Sequence, residues 1–258
     1  MFNIYFKLIF FTKKSILFML VYKPPGIEGT QIANLYKTKL NKKKVTLCGK
    51  LDIMAQGLLL LLFDDECKKM NQHLSHDKIY KFQILWGIQT DTDDPLGIIQ
   101  NTLNIDSIDH TLIQNHITQF IGTFNQQFHI YSAITTSNKS GERHKLWKWA
   151  KLQRLNEIKI PSKQVTVKYI KLLNTSKVSL EYIKNSIINK LKHITGDYRQ
   201  DDIKTQWTLF NQNQNFYITD FEAHVSTGFY IRQFVRDLSE KTKLIGVTFS
   251  INRTSILF

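Results

Sequence analysis

Six consecutive apolar residues at 58–63, closed by Gly57 on one side and Asp64 on the other, constrain this chain most. The run is short, lacks the period of two expected of a half-buried strand, and is bounded by turn residues. It therefore reads as a strand buried on both faces. The remaining sequence offers partners for it. Residues 15–22 (SILFMLVY) read as a buried strand stopped by Pro24-Pro25-Gly26. Residues 31–40 have helical spacing, with Ile32, Leu35, Tyr36 and Leu40 on one side, and Lys42, Lys43 and Lys44 form a basic loop after it. A short helix is expected over 68–74. Residues 77–89 alternate, with Tyr80, Phe82, Ile84 and Trp86 opposite Ile79, Lys81, Gln83 and Leu85, which is a strand signature.

TDTDDPLG at 90–97 is a turn, and 106–120 is helical. Residues 125–160 read as loop then helix, with Leu146, Trp147, Ala150 and Leu155 as its apolar face. Strands are expected over 164–174, 216–225 and 246–257, and a turn into a helix over 227–239. Residues 175–210, rich in Lys and Asn, read as an inserted helical segment. Strands and helices interleave without a repeating βαβ period, which predicts a mixed sheet with helices packed around it. With 42% hydrophobic and 12% aromatic residues, 258 residues can fill such a core as one domain.

Charge narrows the partners. Thirty-five Lys and Arg against 21 Asp and Glu leave +14, an excess that attracts polyanions such as nucleic acid or an anionic membrane surface. A lysine-rich codon bias would also produce it. Residues 1–22 are apolar, but Lys7, Lys13 and Lys14 leave no run near the roughly 20 residues that span a bilayer. No small-residue cleavage site follows, so neither a membrane segment nor a signal peptide is expected. Cys48 and Cys67 are too few for a disulfide framework or a zinc site and read as reduced thiols of a cytoplasmic protein.

One aspartate stands out by context. Asp52 lies between Gly49 and Gly57, just before the buried strand, where a carboxylate can face a cleft on a fixed backbone. Most aspartates so placed merely cap a turn. The segment CGKLDIMAQGLL resembles the signature around the catalytic aspartate of TruB-type pseudouridine synthases, G-[TR]-L-D-P-x-A-x-G-[VL]-L, with Lys50 and Ile53 as substitutions. Four more blocks follow that family's order. Tyr22-Lys23-Pro24-Pro25-Gly26 resembles its D-K-P-x-G. Lys78-Ile79-Tyr80, Gly87 and the turn from Thr90 to Gly97 resemble its K-x-Y and T-D-T-x-D blocks. Gln126 with Tyr131-Ser132-Ala133 resembles Q-x-P-P-x-Y-S-A, and Ser226-Thr227-Gly228-Phe229-Tyr230-Ile231-Arg232 with Asp237-Leu238 resembles S-x-G-T-Y-I-R.

The resemblance implies an α+β fold, a mixed, mostly antiparallel central sheet flanked by helices, and an isomerase acting on uridine 55 in the T arm of tRNA; the same chemistry on another RNA, or a non-catalytic RNA-binding or tRNA-folding module, are the alternatives. It implies Asp52 as nucleophile and Arg232 as the cation that keeps it ionised; a surface phosphate contact or a salt bridge with Asp237 is the plainer reading of Arg232. Tyr80 would stack on the flipped base and serve as a base for its C5 proton, or else be an ordinary core tyrosine. Tyr230, Asp94, Lys23 and Gly228 would complete the substrate site, although Asp94 fits an ordinary turn and Gly228 any tight bend. The isomerisation needs no cofactor and no metal, and no P-loop, dinucleotide fingerprint or His/Cys cluster is present in the sequence. A monomer is expected. The lysine-rich stretches 37–44 and 139–151, the latter carrying Trp147 and Trp149, are candidates for phosphate contacts or solvated faces.

Four departures mark the grip on RNA. Leu47 stands where the family has a histidine that helps fill the gap left by the flipped base. Phe128-His129 replaces Pro-Pro, and Thr135 replaces a lysine. Segment 175–210 is longer than a minimal core needs. The chain stops at Phe258, just after a block resembling the family's last core strand, so no C-terminal PUA domain is expected.

Overall fold

The computed structural model describes residues 16–194 and 196–258. The lysine-broken stretch before Ile16, with the first residue of the strand expected over 15–22, lies outside them. The described chain opens with β1 (Phe18–Lys23), α1 (Gly29–Lys39), β2 (Val45–Cys48) and β3 (Gln56–Phe63). A 3-10 turn at Asp64–Lys69 leads to α2 (Met70–Leu74) and β4 (Asp77–Trp86). β5 (Ile88–Thr90) and β6 (Ile99–Thr102) form a separate ribbon. Then come α3 (His110–Thr118), β7 (Gly122–Gln127), the hairpin β8 (Thr135–Ser137) and β9 (Arg143–Lys145), and α4 (Leu146–Lys151). The long β10 (Ser162–Val178) precedes α5 (Leu180–Leu191) and α6 (Gln200–Leu209). The chain closes with β11 (Phe216–Val225), α7 (Ile231–Thr242) and β12 (Gly246–Leu257).

The main sheet runs β1-β3-β12-β4-β11-β10-β7, with β2 also paired to β3. Every pairing in it is antiparallel except β3 with β12. This is the mixed sheet the sequence pattern predicts, and the mostly antiparallel α+β arrangement the resemblance implies. β3 is covered on both faces. Leu59, Leu61 and Phe63 pack with Ile32, Ala33 and Tyr36 of α1, while Leu60 and Leu62 pack with Cys48, Ile256 and the α2 side chains Met70 and Leu74. Each such leucine contributes about 1.5–3 kcal/mol of apolar burial. The larger core lies over β4, β11 and β12, where α7 lays Phe234, Val235 and Leu238 and α3 lays Ile113 and Ile117. Ile183, Ile187, Ile203 and Trp207 of α5 and α6 join it.

Several boundaries differ from the sequence reading, each for a local reason. The alternation over 77–89 breaks at Gly87, whose positive φ of 96° turns the chain from β4 into β5. The helix expected from 106 begins at His110, because Asp109 caps it by accepting from the Leu112 amide. α4 is too short for the face expected of it: Leu146 and Trp149, three apart, are its buried pair, whereas Trp147 is exposed. The first residues of segment 175–210 continue β10 and pair with β11 up to Val178 opposite Phe216. The polar β7, and β2 of only four residues, carry too little pattern to be seen in the sequence.

Candidate active site

The loop carrying Asp52 is held from below by two buried cations. Where β3 meets β12, Gly57 lies opposite Arg253 with φ of 117°, and a Cβ added there would sit 2.4 Å from the Arg253 carbonyl oxygen. The Arg253 side chain turns under the loop, donating to the carbonyls of Leu58 (2.7 Å) and Gly49 (2.9 Å). From the other side Lys23, 0% exposed, donates to the carbonyls of Pro24, Ile53 (both 3.1 Å) and Ala55 (2.5 Å). The Gly26 amide donates to the Ile53 carbonyl at 2.8 Å, tying the Pro-Pro-Gly loop to the same stretch. Burial pushes the Lys23 ammonium down to about 8, against the pull of nearby Asp52.

Arg232 enters from the first turn of α7. Its Nε donates to Asp52 Oδ2 at 2.8 Å, Nη1 to the Thr92 carbonyl at 3.1 Å and Nη2 to the Tyr131 carbonyl at 3.4 Å; Asp94 Oδ2 lies 3.5 Å from Nη1. The Arg232 side chain is 6% exposed and that of Asp52 36%, so the guanidinium is buried while the carboxylate is still reachable. Burial raises the Asp52 carboxyl, but the Arg232 guanidinium outweighs it and holds the group below the usual aspartate range. Asp237, the alternative partner, instead accepts from Gln233 at 2.7 Å.

The turn from Thr90 to Gly97 wraps this pair with three aspartates, each matched to a cation. Asp94 faces Arg232, accepts from the Thr92 hydroxyl and the Leu96 amide (both 2.9 Å), and is pushed by burial up to about 6. Asp93 accepts from Arg236 at 2.5 Å and meets buried His129 Nε2 at 2.8 Å; burial and the neighbouring arginines hold this imidazole well below the usual histidine range. Asp91 takes both arms of Arg199, at 2.7 and 3.2 Å, and the Tyr131 hydroxyl at 3.2 Å. The sequence reading missed Asp93, His129, Arg236 and Arg199. Arg236 was within reach of it, lying one turn after Arg232 on the same helix.

The other anticipated site residues are placed as follows. Tyr80, on β4 opposite Arg253, lies in the core cluster with Leu51, Ile53 and Met54 of the Asp52 loop. Tyr230 caps α7, its amide and carbonyl held by Gln126 at 2.8 and 3.1 Å and its ring edge-on to Phe128. Burial first, then Asp52, pushes its phenol up to about 12. Gly228 has φ of 90°, and a Cβ there would strike the Lys163 side chain at 2.7 Å, so a lysine makes the close approach. Lys23 sits beneath the loop, and Leu47 on β2 packs toward α1, with Cδ1 3.1 Å from where a Gly29 Cβ would be. Asp52, Arg232 and Asp94 are thus brought into one constellation, while Lys23 underlies it and Leu47 belongs to the neighbouring apolar cluster. Among the described residues no group of three His, Cys, Asp or Glu could hold a metal, and no helix is long and apolar enough to cross a membrane.

The model of the TruB family pseudouridylate synthases (N-terminal domain) matches residues 37–198, which carry Asp52, Tyr80 and Asp94. This chain belongs to the TruB family. Among curated relatives, tRNA pseudouridine synthase B of Corynebacterium glutamicum strain R is 25% identical over 238 residues, covering 92% of this chain and 66% of its own length. The enzyme of the same name from Mycoplasma mycoides subsp. mycoides SC is 29% identical over 243 residues, covering 94% of this chain and 68% of its own. The chain thus spans about two thirds of the length of these TruB relatives. Among solved structures, a crystal structure of a Cbf5–Nop10–Gar1 complex superposes on 91% of the chain and 47% of its own, with a TM-score of 0.54 and 15% identity, a likeness of fold.

Proposed function

We propose that this chain isomerises uridine to pseudouridine in RNA, at uridine 55 in the T arm of tRNA, with Asp52 as the nucleophile. The observation that carries the reading is the Asp52–Arg232 pair: a carboxylate kept ionised by a buried guanidinium at 2.8 Å yet open on one side to a ligand. Family membership and the names of the relatives, tRNA pseudouridine synthases, support the reaction and the RNA class. In the reaction the N1–C1′ bond breaks, the uracil turns, and C5 bonds to C1′; C5 loses a proton and N1 gains one. Nothing is oxidised or reduced, so no cofactor or metal is required.

An ionised Asp52 supplies the electron pair, and Arg232, anchored also to the Thr92 and Tyr131 carbonyls, fixes its direction. Tyr80 stacks on the flipped base and takes the C5 proton on its hydroxyl oxygen as its own O–H proton passes to solvent, with Tyr230 packing below. Flipping costs a few kcal/mol of stacking, offset by this aromatic contact and by phosphate contacts from the lysines of 37–44 and 139–151. The enzyme acts as a cytoplasmic monomer in this reading; the free thiols of Cys48 and Cys67 suit a reducing compartment.

Mapping of pseudouridine after incubation with unmodified total tRNA and with other structured RNAs tests the proposal. A new pseudouridine at position 55 is expected. None in any RNA overturns the activity, and modification confined to other RNAs overturns the T-arm assignment.

A further inference from the structure

β10 and β11 pair up to Val178 opposite Phe216, a place where a short hairpin turn would close the strands. Instead the chain leaves the sheet, forms α5 and α6, and returns. Between the two helices, consecutive side chains reach opposite walls of the site. Tyr198 donates its hydroxyl to Glu28 Oε1 at 2.6 Å, two residues after Gly26 of the Pro-Pro-Gly loop. Arg199 forks onto Asp91 at 2.7 and 3.2 Å. Arg199 does so in a left-handed conformation, φ 60° and ψ 32°, which a non-glycine residue holds only when its surroundings enforce it. Farther along α6, the Gln206 amide pairs both ways with the Ile99 backbone, at 2.7 and 3.1 Å, on the strand after the acidic turn.

These contacts close a ring around the nucleophile. From Asp52 it passes to Arg232 (2.8 Å), to the Thr92 carbonyl (3.1 Å) and along the chain to Asp91. It continues through Arg199 and Tyr198 to Glu28, back along the chain to Gly26, and across the Gly26–Ile53 hydrogen bond (2.8 Å) to the residue beside Asp52. Every link is a short polar contact or one to two residues of backbone. Without Tyr198 and Arg199 the ring is open, and the acidic turn keeps its ties to Arg232, Arg236, His129 and the Thr248 amide but loses its link to the Glu28 side of the Asp52 loop.

We propose that the α5–α6 excursion is a brace that sets the Asp52–Arg232 geometry, with Tyr198 and Arg199 as positioning residues acting through Glu28 and Asp91. Neither needs to touch RNA. The kinetic part rests on the pseudouridine synthase reading; the structural part does not.

The test compares wild type, Tyr198→Phe, Arg199→Met, Arg199→Lys and, as a control on the outer face of α6, Lys204→Ala. Tyr198→Phe removes one hydroxyl and leaves packing intact, so it guards against a fold defect in the arginine variants. On a T-arm stem-loop, Tyr198→Phe and Arg199→Met are expected to lose roughly 10- to 100-fold in kcat, as a small misplacement of reacting groups does. KM should stay within about threefold, since no substrate contact is removed. Arg199→Lys, which keeps the charge without the fork, should recover part of the loss, and Lys204→Ala should retain wild-type turnover. On the same proteins without RNA, the Gly26 and Ile98 amides, which donate to the Ile53 carbonyl and to Asp91 Oδ1, are expected to exchange faster in Tyr198→Phe and Arg199→Met. Unchanged exchange at both amides overturns the brace, whatever the activity. Faster exchange with unchanged kcat, or a loss confined to KM, overturns its role in positioning. An inactive wild type with faster exchange in the variants overturns the proposed function and leaves the brace standing.

Discussion

Lys23→Met keeps the length of the buried stem beneath Asp52 and removes the ammonium that serves the Pro24, Ile53 and Ala55 carbonyls. Two opposing effects set the outcome. The Ile53 carbonyl keeps the Gly26 amide as a donor, so the Pro24 and Ala55 carbonyls lose theirs; at about 1–3 kcal/mol each, that costs about 2–4 kcal/mol after partial relaxation. Against this, the variant no longer has to bury a charge. Lys23 is pushed from 10.5 down to about 8, and at about 1.36 kcal/mol per pH unit that burial costs the wild type about 3 kcal/mol near neutrality. The two nearly cancel, so the net expectation at pH 7 is a variant within about 1 kcal/mol of wild type. The pH dependence is more discriminating. Between pH 8 and 10.5 the unfolded chain still holds a proton on Lys23 that the folded chain has released, so wild-type stability from this group rises with pH. Below pH 8 both states are protonated and the penalty is fully present. Lys78 and Lys190, also pushed to about 8, are common to both proteins and cancel in the difference. Urea unfolding of wild type and variant from pH 7.5 to 10.5 should show the gap between them widening by about 3 kcal/mol. A gap that stays flat or narrows across that range refutes the reasoning.

Further outcomes follow from the same geometry. Gly57→Ala should cost roughly 3 kcal/mol or more, seen as a large drop in Tm, because its Cβ would meet the Arg253 backbone at 2.4–2.5 Å on a residue with positive φ; an unchanged Tm contradicts this. Arg232→Lys keeps a charge but cannot serve Asp52, Thr92 and Tyr131 together, so kcat should fall by about 100-fold with the fold intact by circular dichroism. Asp94 is raised to about 6, so as pH falls through 6 the folded protein takes up a proton there. That gains stability down to the ordinary aspartate value of 3.8 while depriving Arg232 of an anion. The kcat–pH profile should accordingly drop below about pH 6, and Asp94→Asn should remove that step. RNA affinity should weaken steeply with added salt as counterions are released, and a salt-independent Kd would count against the basic surface.

What the sequence disclosed and what it hid differ in physical kind. β3 was legible because six apolar residues between Gly57 and Asp64 leave no other use for the run, and β11 and β12 because their patterns are long. β2 and β7 were not, since four residues or a polar GTFNQQ become strands only through the partners that pair with them. In the site, Asp52, Arg232, Tyr80 and Asp94 were named from local motifs. The matching of Asp91, Asp93 and Asp94 to Arg199, Arg236 and Arg232 was hidden, because those partners are more than 100 residues away along the chain and meet only after the sheet forms. Lys23, expected in the substrate site, and Arg253, given no role from the sequence, show what they do once their carbonyl partners under the Asp52 loop are seen.

The central claim is that the Asp52 carboxylate attacks the target nucleoside. Asp52→Asn leaves the shape of the site and the basic surface in place and removes the charge held by Arg232. The direct measurement is single-turnover formation of pseudouridine on a T-arm stem-loop, read by nucleoside chromatography, with RNA affinity measured on the same preparation. No detectable product with near wild-type affinity is the expected result. Wild-type turnover by the asparagine variant would contradict the account.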